Sequence, residues 1–434
     1  MKTLLLTFLL SLFIIQFCPA RRGIEEALFT WTDSPSTTLN VIWLVEEDEP
    51  TDFKWGKQGG EINRNAVIKR KSFYEKTISF WGLALDVKNG RFSLPSLKDA
   101  DVEVCQVQLT ELAPDTVYCV KLGKKEFKAR TLPVKRPDRI SFVTGGDMMH
   151  KPEWHKDGVQ AMASRSPDFA LLGGDLAYAN GQDWKRWLDW IEIYADHARR
   201  PDGLSIPFVV AIGNHEVIGG YGQIPEKAPL FFNLFPFPEE NNPTYCVDLY
   251  EDLSVFVLNS NHSCPVEDQV DFLKKSFSAR QDRKHLFALY HFPAYGIVKG
   301  GLGNDLSKSI RQHWTPLFDQ YALDAAFEND HHVYKRSKLI KGGKVDDSGT
   351  LYIGDGAWGV KTRPMDASGL WYVEEASPTM HVIEVVIENP TTIKRYLMSL
   401  WTEEKLNEYK NKTLSYFLAP LSTLLCFARS ISTS

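Results

Sequence analysis

The stretch DFALLGGDLAY, Asp168 to Tyr178, is a short apolar run that stops at a pair of glycines. It then delivers an aspartate, Asp175, and three residues later a tyrosine, Tyr178. A short apolar run closed by glycine fits a strand of an α/β domain. The same construction recurs along the chain. RISFVTGGD ends on Asp147, and IPFVVAIGNHE brings Asn214 and His215. HLFALYHF carries His291, and FENDHHVYKR, entered from the apolar ALDAAF, carries Asp330, His331 and His332. Helix-like segments such as WKRWLDWIEIYADHARR (Trp184 to Arg200) and VEDQVDFLKKSFSA lie between the runs. Strands alternating with helices predict an α/β domain over residues 139–400. In such sheets ligands gather just past the C-terminal ends of the strands. That is where this sequence places its Asp, Asn and His residues.

The rest of the chain is read around that domain. Its 434 residues allow two or three domains, and 43% hydrophobic and 12% aromatic residues supply large cores. The formal net charge is −5, with no long block of one sign. This argues against nucleic acid or an anionic membrane as the main partner. Residues 1–20, MKTLLLTFLLSLFIIQFCPA, read as a secretory signal peptide: Lys2 leads a short apolar run, and Cys18-Pro19-Ala20 close it. The run is too short to span a bilayer. Residues 24–135 read as all-β: LNVIWLV, VEVCQVQL and VYCVKLG alternate or are β-branched, and LAPDT marks a turn. A sandwich of about 100 residues fits, and Pro133 and Pro137 mark the linker. Residues 401–434 form a tail without a functional reading; its SYFLAPLSTLLCFA is apolar but broken by Pro420. The pairs Cys105/Cys119 and Cys246/Cys264 are candidates for local disulfides in a secreted chain, with buried free thiols as the alternative; Cys426 is left over. Asn261-His262-Ser263 and Asn411-Lys412-Thr413 are glycosylation sequons.

Taken singly, an aspartate after two glycines is an ordinary loop. Five strand ends in order, each offering metal-competent side chains, point to a metal centre. Two carboxylates, a phenol, an amide oxygen and imidazoles suit Fe, Mn or Zn rather than a thiolate-seeking ion. They are too many for one mononuclear site. Two cations with a bridging carboxylate account for them, and such pairs, about 3.5–4 Å apart, clamp the attacking and leaving oxygens of a phosphoryl displacement.

The series GGD…GDLAY…GNHE…H…HHVY resembles the metallophosphoesterase (calcineurin-like) superfamily, and within it the purple acid phosphatase branch. The discriminating residue is Tyr178, since tyrosine supplies a phenolate to a ferric ion in that branch. Most relatives use a histidine two residues after the first aspartate, where this chain has Met149. FTWTDSPSTTLNVIW and LAPDTVYCVKLG resemble the sandwich preceding the catalytic domain in longer members. The resemblance implies a β-sandwich core flanked by helices, behind an all-β, fibronectin type III-like sandwich. It implies that Asp147, Asp175, Tyr178 and His332 hold Fe(III), with Asp175 bridging. Asn214 and His291 would hold a divalent ion (Fe, Zn or Mn), and His215 would hydrogen-bond the phosphate. The implied activity is that of a secreted acid phosphatase cleaving phosphate monoesters by attack of a metal-bound hydroxide, in acid where His215 is charged.

Two departures from the pattern follow. The usual GHxHxY motif aligns with Asn329 in place of glycine and Asp330 in place of its first histidine, a ligand of the divalent ion. Asp330 is the expected replacement ligand; the alternatives are a one-residue slip that brings in His331, or a weakened second site. Past His291, where plant-type members carry a histidine pair, GIVKGGLGN has none. Lys299 reads as a surface lysine, with substrate contact by Lys299 or Tyr295 as the alternative, and the group that protonates the leaving group is unassigned. His150 reads as a neighbour of the site; His155, His197, His285 and His313 read as packing or surface residues. Glu216 is read as orienting His215 or simply following it, and Asp355 and Trp358 as shaping a turn. Besides a monoesterase, a phosphodiesterase or nucleotide hydrolase of the same superfamily, or an impaired relative acting as a binding protein, fits the motif. A homodimer through the N-terminal sandwich is left open.

Overall fold

The structure, a computed structural model, describes residues 26–47, 49–73, 102–388 and 394–401. The leader, the tail beyond 401, Cys426 and the Asn411 sequon lie outside the described residues.

From Leu28 to Arg130 every described element is a strand: β1 Leu28–Thr30, β2 Leu39–Glu46, β3 Phe53–Lys57, β4 Lys69–Ser72, β5 Val102–Leu109, β6 Val117–Leu122 and β7 Lys125–Arg130. β1, β2, β5 and β4 pair in that order in one layer, and β3, β6 and β7 in another. Trp43, Phe53, Trp55, Val107, Val120 and Phe127 fill the space shared by the two layers, with Trp43 stacked on Phe53 at 5.1 Å. The next strands are β8 Arg139–Gly145, β9 Phe169–Leu172, β10 Phe208–Val210, β11 Tyr245–Tyr250, β12 Leu253–Val257, β13 His285–Leu289 and β14 Ala325–Glu328. β15 Tyr334–Lys341, β16 Lys344–Val345, β17 Thr350–Gly354, β18 Val373–Ser377, β19 Met380–Glu388 and β20 Lys394–Trp401 complete the series. Among the described residues, one large sheet runs β20-β19-β8-β9-β10-β1-β2-β5-β4 and a second runs β11-β12-β13-β14-β17-β15-β16, with β18 on β15.

The first large sheet therefore continues from the α/β part into the N-terminal strands, through a parallel contact between β1 and β10 at Thr30 and Phe208. A sequence reading sees two units here; the hydrogen-bonded sheet joins them.

β8, β9 and β10 are parallel, as are β12, β13, β14 and β17. Their burial is nearly complete on both sides, which is why the sequence shows unbroken apolar runs. Facing rows from the two sheets make the central core. Phe142 of β8 stacks on Phe169 of β9 at 5.0 Å and meets Phe287 of β13 and Phe327 of β14 at 5.8 Å each. The outer face of the first sheet is covered by the helices Pro152–Ser164 and Trp184–His197, which bury Val159, Met162, Trp187 and Trp190. The helices Val270–Ser278, Asp305–His313 and Thr315–Gln320 cover the second, burying Leu273, Phe277, Ile310 and Phe318.

Because the parallel strands are in register, Gly145 beside Leu172 and Leu289 beside Phe327, their C-terminal ends form one rim. Of the two readings of the cysteines, the structure has the free thiols. Cys105, Cys119, Cys246 and Cys264 are free thiols. Cys105 lies on β5 and Cys119 on β6, strands of opposite layers, and burial holds the Cys105 thiol up at about 12.

Candidate metal centre

Three of the five rim loops turn sharply and force key residues into left-handed backbone. Asp147 (φ 57°), Asp175 (52°), Tyr178 (55°), Asp330 (72°) and His332 (56°) all have positive φ. Non-glycine residues rarely take that conformation, and where they do in numbers the strain collects at functional sites. Glycine is needed beside them: a Cβ on Gly356 would collide with the Asp147 carboxylate.

The side chains converge in two lobes. In the first, Asp147 Oδ1 accepts the Tyr178 hydroxyl at 3.0 Å, and His332 Nε2 stands 2.9 Å from the same oxygen and 3.0 Å from the phenol. Asp147 Oδ2 accepts the Asp330 backbone N–H at 2.8 Å, tying the two loops together. In the second lobe, His291 Nε2 faces Asn214 Oδ1 at 3.2 Å, Asp175 Oδ2 at 3.3 Å and Asp330 Oδ1 at 3.5 Å. Asp175 stands between the lobes, and ligand atoms of Asp147, Asp175 and His291 lie within 4.8 Å of one another. All seven residues singled out as metal ligands are therefore in one place. His331 is not among them. Its buried ring lies 3.8 Å from both Asp330 and Asp355, with no hydrogen-bond partner for either nitrogen.

Electrostatics and tautomers test whether cations fit here. His291 Nδ1–H donates to the Gly173 carbonyl at 2.8 Å. That leaves Nε2 as the ring atom aimed at three oxygens. Burial would lower the His291 pKa, but Asp175 and Asp147 raise it well above the ordinary value, so without a metal a proton on Nε2 does a cation's work. Burial alone would also raise Asp175 and Asp330, yet His291 pulls both below the usual carboxylate range, aided by His215 at Asp175 and Lys299 at Asp330. Burial, Asp147 and Asp175 push Tyr178 well above 10, so a phenolate there requires a strongly charged ion. Three buried carboxylates with oxygen and nitrogen donors in two lobes suit a pair of hard or borderline cations.

His215 occupies the open side. Its backbone N–H donates to Asp175 Oδ1 at 2.7 Å, its ring lies 4.2 Å from the Tyr178 ring, and its Nδ1 pairs with the Asn180 amide oxygen. Its side chain is 32% exposed, so the ring is reachable from solvent. His150 stands beside the first lobe, 4.6 Å from the Tyr178 ring, and accepts the Lys361 N–H.

Several residues do more than their sequence context indicates. Glu216 does not orient the His215 ring. Its buried carboxylate accepts the N–H groups of Asp175 (2.7 Å), Gly213 (2.8 Å) and Leu176 (2.9 Å), pinning two rim turns together. Tyr221 donates to Asn214 Oδ1 at 2.9 Å or to Asp330 Oδ1 at 2.6 Å. Lys299 is ion-paired to Asp330 Oδ2 at 2.6 Å rather than free in solvent. Arg363 donates to the Asp330 carbonyl at 2.9 Å. Beneath the rim, buried Lys335 pairs with Asp355 at 2.8 Å and with Glu328, anchoring the strands on either side of the Asp330 loop. Asp355 thus acts through Lys335, while Trp358 fills the space over Gly145 and Gly158. His262 of the Asn261 sequon lies buried behind His291, at a ring distance of 5.4 Å.

Comparison with known proteins agrees with this geometry. Residues 151–333 match the calcineurin-like phosphoesterase family model. Probable purple acid phosphatase 20 of Arabidopsis thaliana is 26% identical over 342 residues, covering 73% of this chain and 71% of that protein. Purple acid phosphatase 21 of the same plant is 26% identical over 272 residues, or 58% of each chain. The structure of purple acid phosphatase PPD1 from yellow lupin (Lupinus luteus) seeds superposes with a TM-score of 0.67 at 16% identity, over 91% of this chain and 77% of that one, and so shares the fold. Rim loops and family match define a calcineurin-like phosphoesterase, a phosphoester hydrolase by class. Within that class the family match, the relatives and the shared fold support the purple acid phosphatase branch.

Proposed function

We propose that the chain is a secreted phosphatase of phosphate monoesters, working through two cations. Asp147, Asp175, Tyr178 and His332 would hold Fe(III), and Asp175, Asn214, His291 and Asp330 a divalent Fe, Zn or Mn. Residues 24–135 would form a fibronectin type III-like sandwich beside the catalytic domain of residues 139–400. The observation that carries this reading is the position of Asp175 between two donor lobes, with Oδ2 turned toward His291 and the carboxylates of both lobes buried.

When bound, such a cation pair acidifies a water for attack and offers positive charge to the phosphate oxygens. The chain's own groups do the rest. Glu216 fixes the turns that present Asp175 and Asn214, and the carbonyls of Gly173 and Lys361 set the tautomers of His291 and His332. His215, held by Asn180 and backed by Tyr178, is placed to hydrogen-bond a phosphate oxygen and to stabilise charge as it grows. The leader residues favour export.

A panel of phosphate monoesters, phosphodiesters and nucleotides, assayed from acid to neutral pH with metal-loaded protein, tests the proposal. Turnover of monoesters over diesters is the expected result. Preference for diesters would move the assignment to phosphodiesterase, and absence of turnover in a metal-loaded protein would leave a binding protein.

A further inference from the structure

We propose that Lys299 sets the affinity of the second lobe for its divalent cation, acting as a built-in competitor for the Asp330 carboxylate. The inference rests on the reading above, that Asp330 is a ligand in that lobe.

The geometry that carries it is compact. Lys299 Nζ lies 2.6 Å from Asp330 Oδ2, and the Tyr221 hydroxyl lies 2.6 Å from Oδ1, so both oxygens of this buried carboxylate already meet donors. The lysine is held in place against a conformational preference. Its φ is 53°, followed by Gly300 at 89° and Gly301 at 53°, and left-handed backbone is unfavourable for a long side chain. The Gly301 N–H bonds the Val298 carbonyl at 3.0 Å, and the Asn304 side-chain amide donates to the Lys299 carbonyl at 3.1 Å. Asn304 in turn caps the helix Asp305–His313, accepting the N–H groups of Leu306 and Ser307. The turn that aims Lys299 at Asp330 is thus anchored to a helix.

Charge balance gives the arrangement its meaning. The motif this loop resembles carries a neutral imidazole where this chain carries Asp330. The carboxylate adds one negative charge to the lobe, and the ammonium adds one positive charge beside it. With the lysine in place the lobe keeps the charge it would have with histidine; without it, the lobe is one unit more negative and holds a divalent cation more tightly. Lys299 thereby keeps the second lobe exchangeable, loaded when divalent cation is plentiful and released when it is scarce. The side chain is 32% exposed, so the ammonium has a path to water when a cation takes the carboxylate.

The test is calorimetric titration of the metal-free full chain with Mn²⁺, checked by equilibrium dialysis, using wild type, Lys299→Met, Lys299→Arg and Asp330→Asn. The expected result is at least tenfold tighter binding by Lys299→Met, near-wild-type binding by Lys299→Arg, and weaker binding by Asp330→Asn. Equal or weaker binding by a folded Lys299→Met overturns the inference while leaving the cation centre intact. Wild-type affinity in Asp330→Asn also overturns it, by removing Asp330 from the ligand set. If neither wild type nor Lys299→Met takes up Mn²⁺, the cation-centre reading falls, and this inference with it.

Discussion

Glu216→Gln is the substitution whose cost follows most directly from the structure. Glu216 is 1% exposed, and its two oxygens accept three backbone N–H groups at 2.7–2.9 Å. Oε2 serves Asp175 and Gly213, and Oε1 serves Leu176. Glutamine has nearly the same shape but presents an NH₂ in place of one oxygen. In its better orientation the amide oxygen keeps the Asp175 and Gly213 donors, and the NH₂ confronts the Leu176 N–H. The Leu176 N–H and the buried NH₂ are then both orphaned, which costs ~2–6 kcal/mol. The two remaining bonds lose whatever charge assistance the carboxylate gave, about another 1 kcal/mol in total. Burial, with Asp175 adding to it, raises the Glu216 pKa above the usual carboxylate range. A total of ~3–7 kcal/mol is expected. Equilibrium urea unfolding of the metal-free chain, followed by tryptophan fluorescence, measures it, and the same preparation is assayed for cation uptake. Uptake should fall as well, because the turns carrying Asp175 and Asn214 lose their shared anchor. A loss below about 1 kcal/mol with unchanged uptake would refute the reasoning, since Glu216 would then be a filler that happens to touch three amides.

Other consequences follow from the same structure. His155 is fully buried, stacked on Trp190 at 5.7 Å, and burial lowers its pKa to about 3. A depressed histidine contributes stability that is complete above pH 6.5 and lost as pH falls toward 3; at pH 5 the loss is about 2 kcal/mol, so His155→Leu should flatten the decline in melting temperature between pH 7 and pH 5. Phe142→Ala removes the ring that joins the facing sheets and should lower unfolding free energy by ~3–5 kcal/mol, read from urea denaturation. His215→Asn should lower kcat on a monoester roughly 10²-fold, with cation content unchanged, because His215 is not in the proposed ligand set: its Nδ1 pairs with Asn180 and its Nε2 lies 3.8 Å from Asp175 Oδ2.

Much of this was legible in the chain itself. Strands buried on both faces must be apolar throughout, so β8, β9, β10 and β13 announce themselves as runs, and the polar residues that end them announce the rim. Tyr178 and the loop at Asp330 could be placed for the same reason. What could not be read depends on partners distant in sequence. Glu216 works through amides of Asp175 and Leu176 on another turn, which leave no trace in side-chain pattern. Lys299 looks like a surface lysine until its turn is seen folded over Asp330. The join between the N-terminal strands and the α/β sheet rests on a single register pair, Thr30 and Phe208, and no local periodicity reports it. Cysteine spacing suggested disulfides, yet closeness along the chain did not bring Cys105 and Cys119 into one layer.

The central claim is that Asp147, Asp175, Tyr178, Asn214, His291, Asp330 and His332 enclose a pair of cations sharing Asp175. Metal analysis of the purified protein, with a visible spectrum of wild type and Tyr178→Phe, tests it most directly. Iron plus a divalent metal are expected, about two ions per chain at saturation, with a visible absorption band that Tyr178→Phe abolishes while the protein stays folded. Protein that folds and holds no transition metal at saturating supply, or a band that survives in Tyr178→Phe, would contradict it.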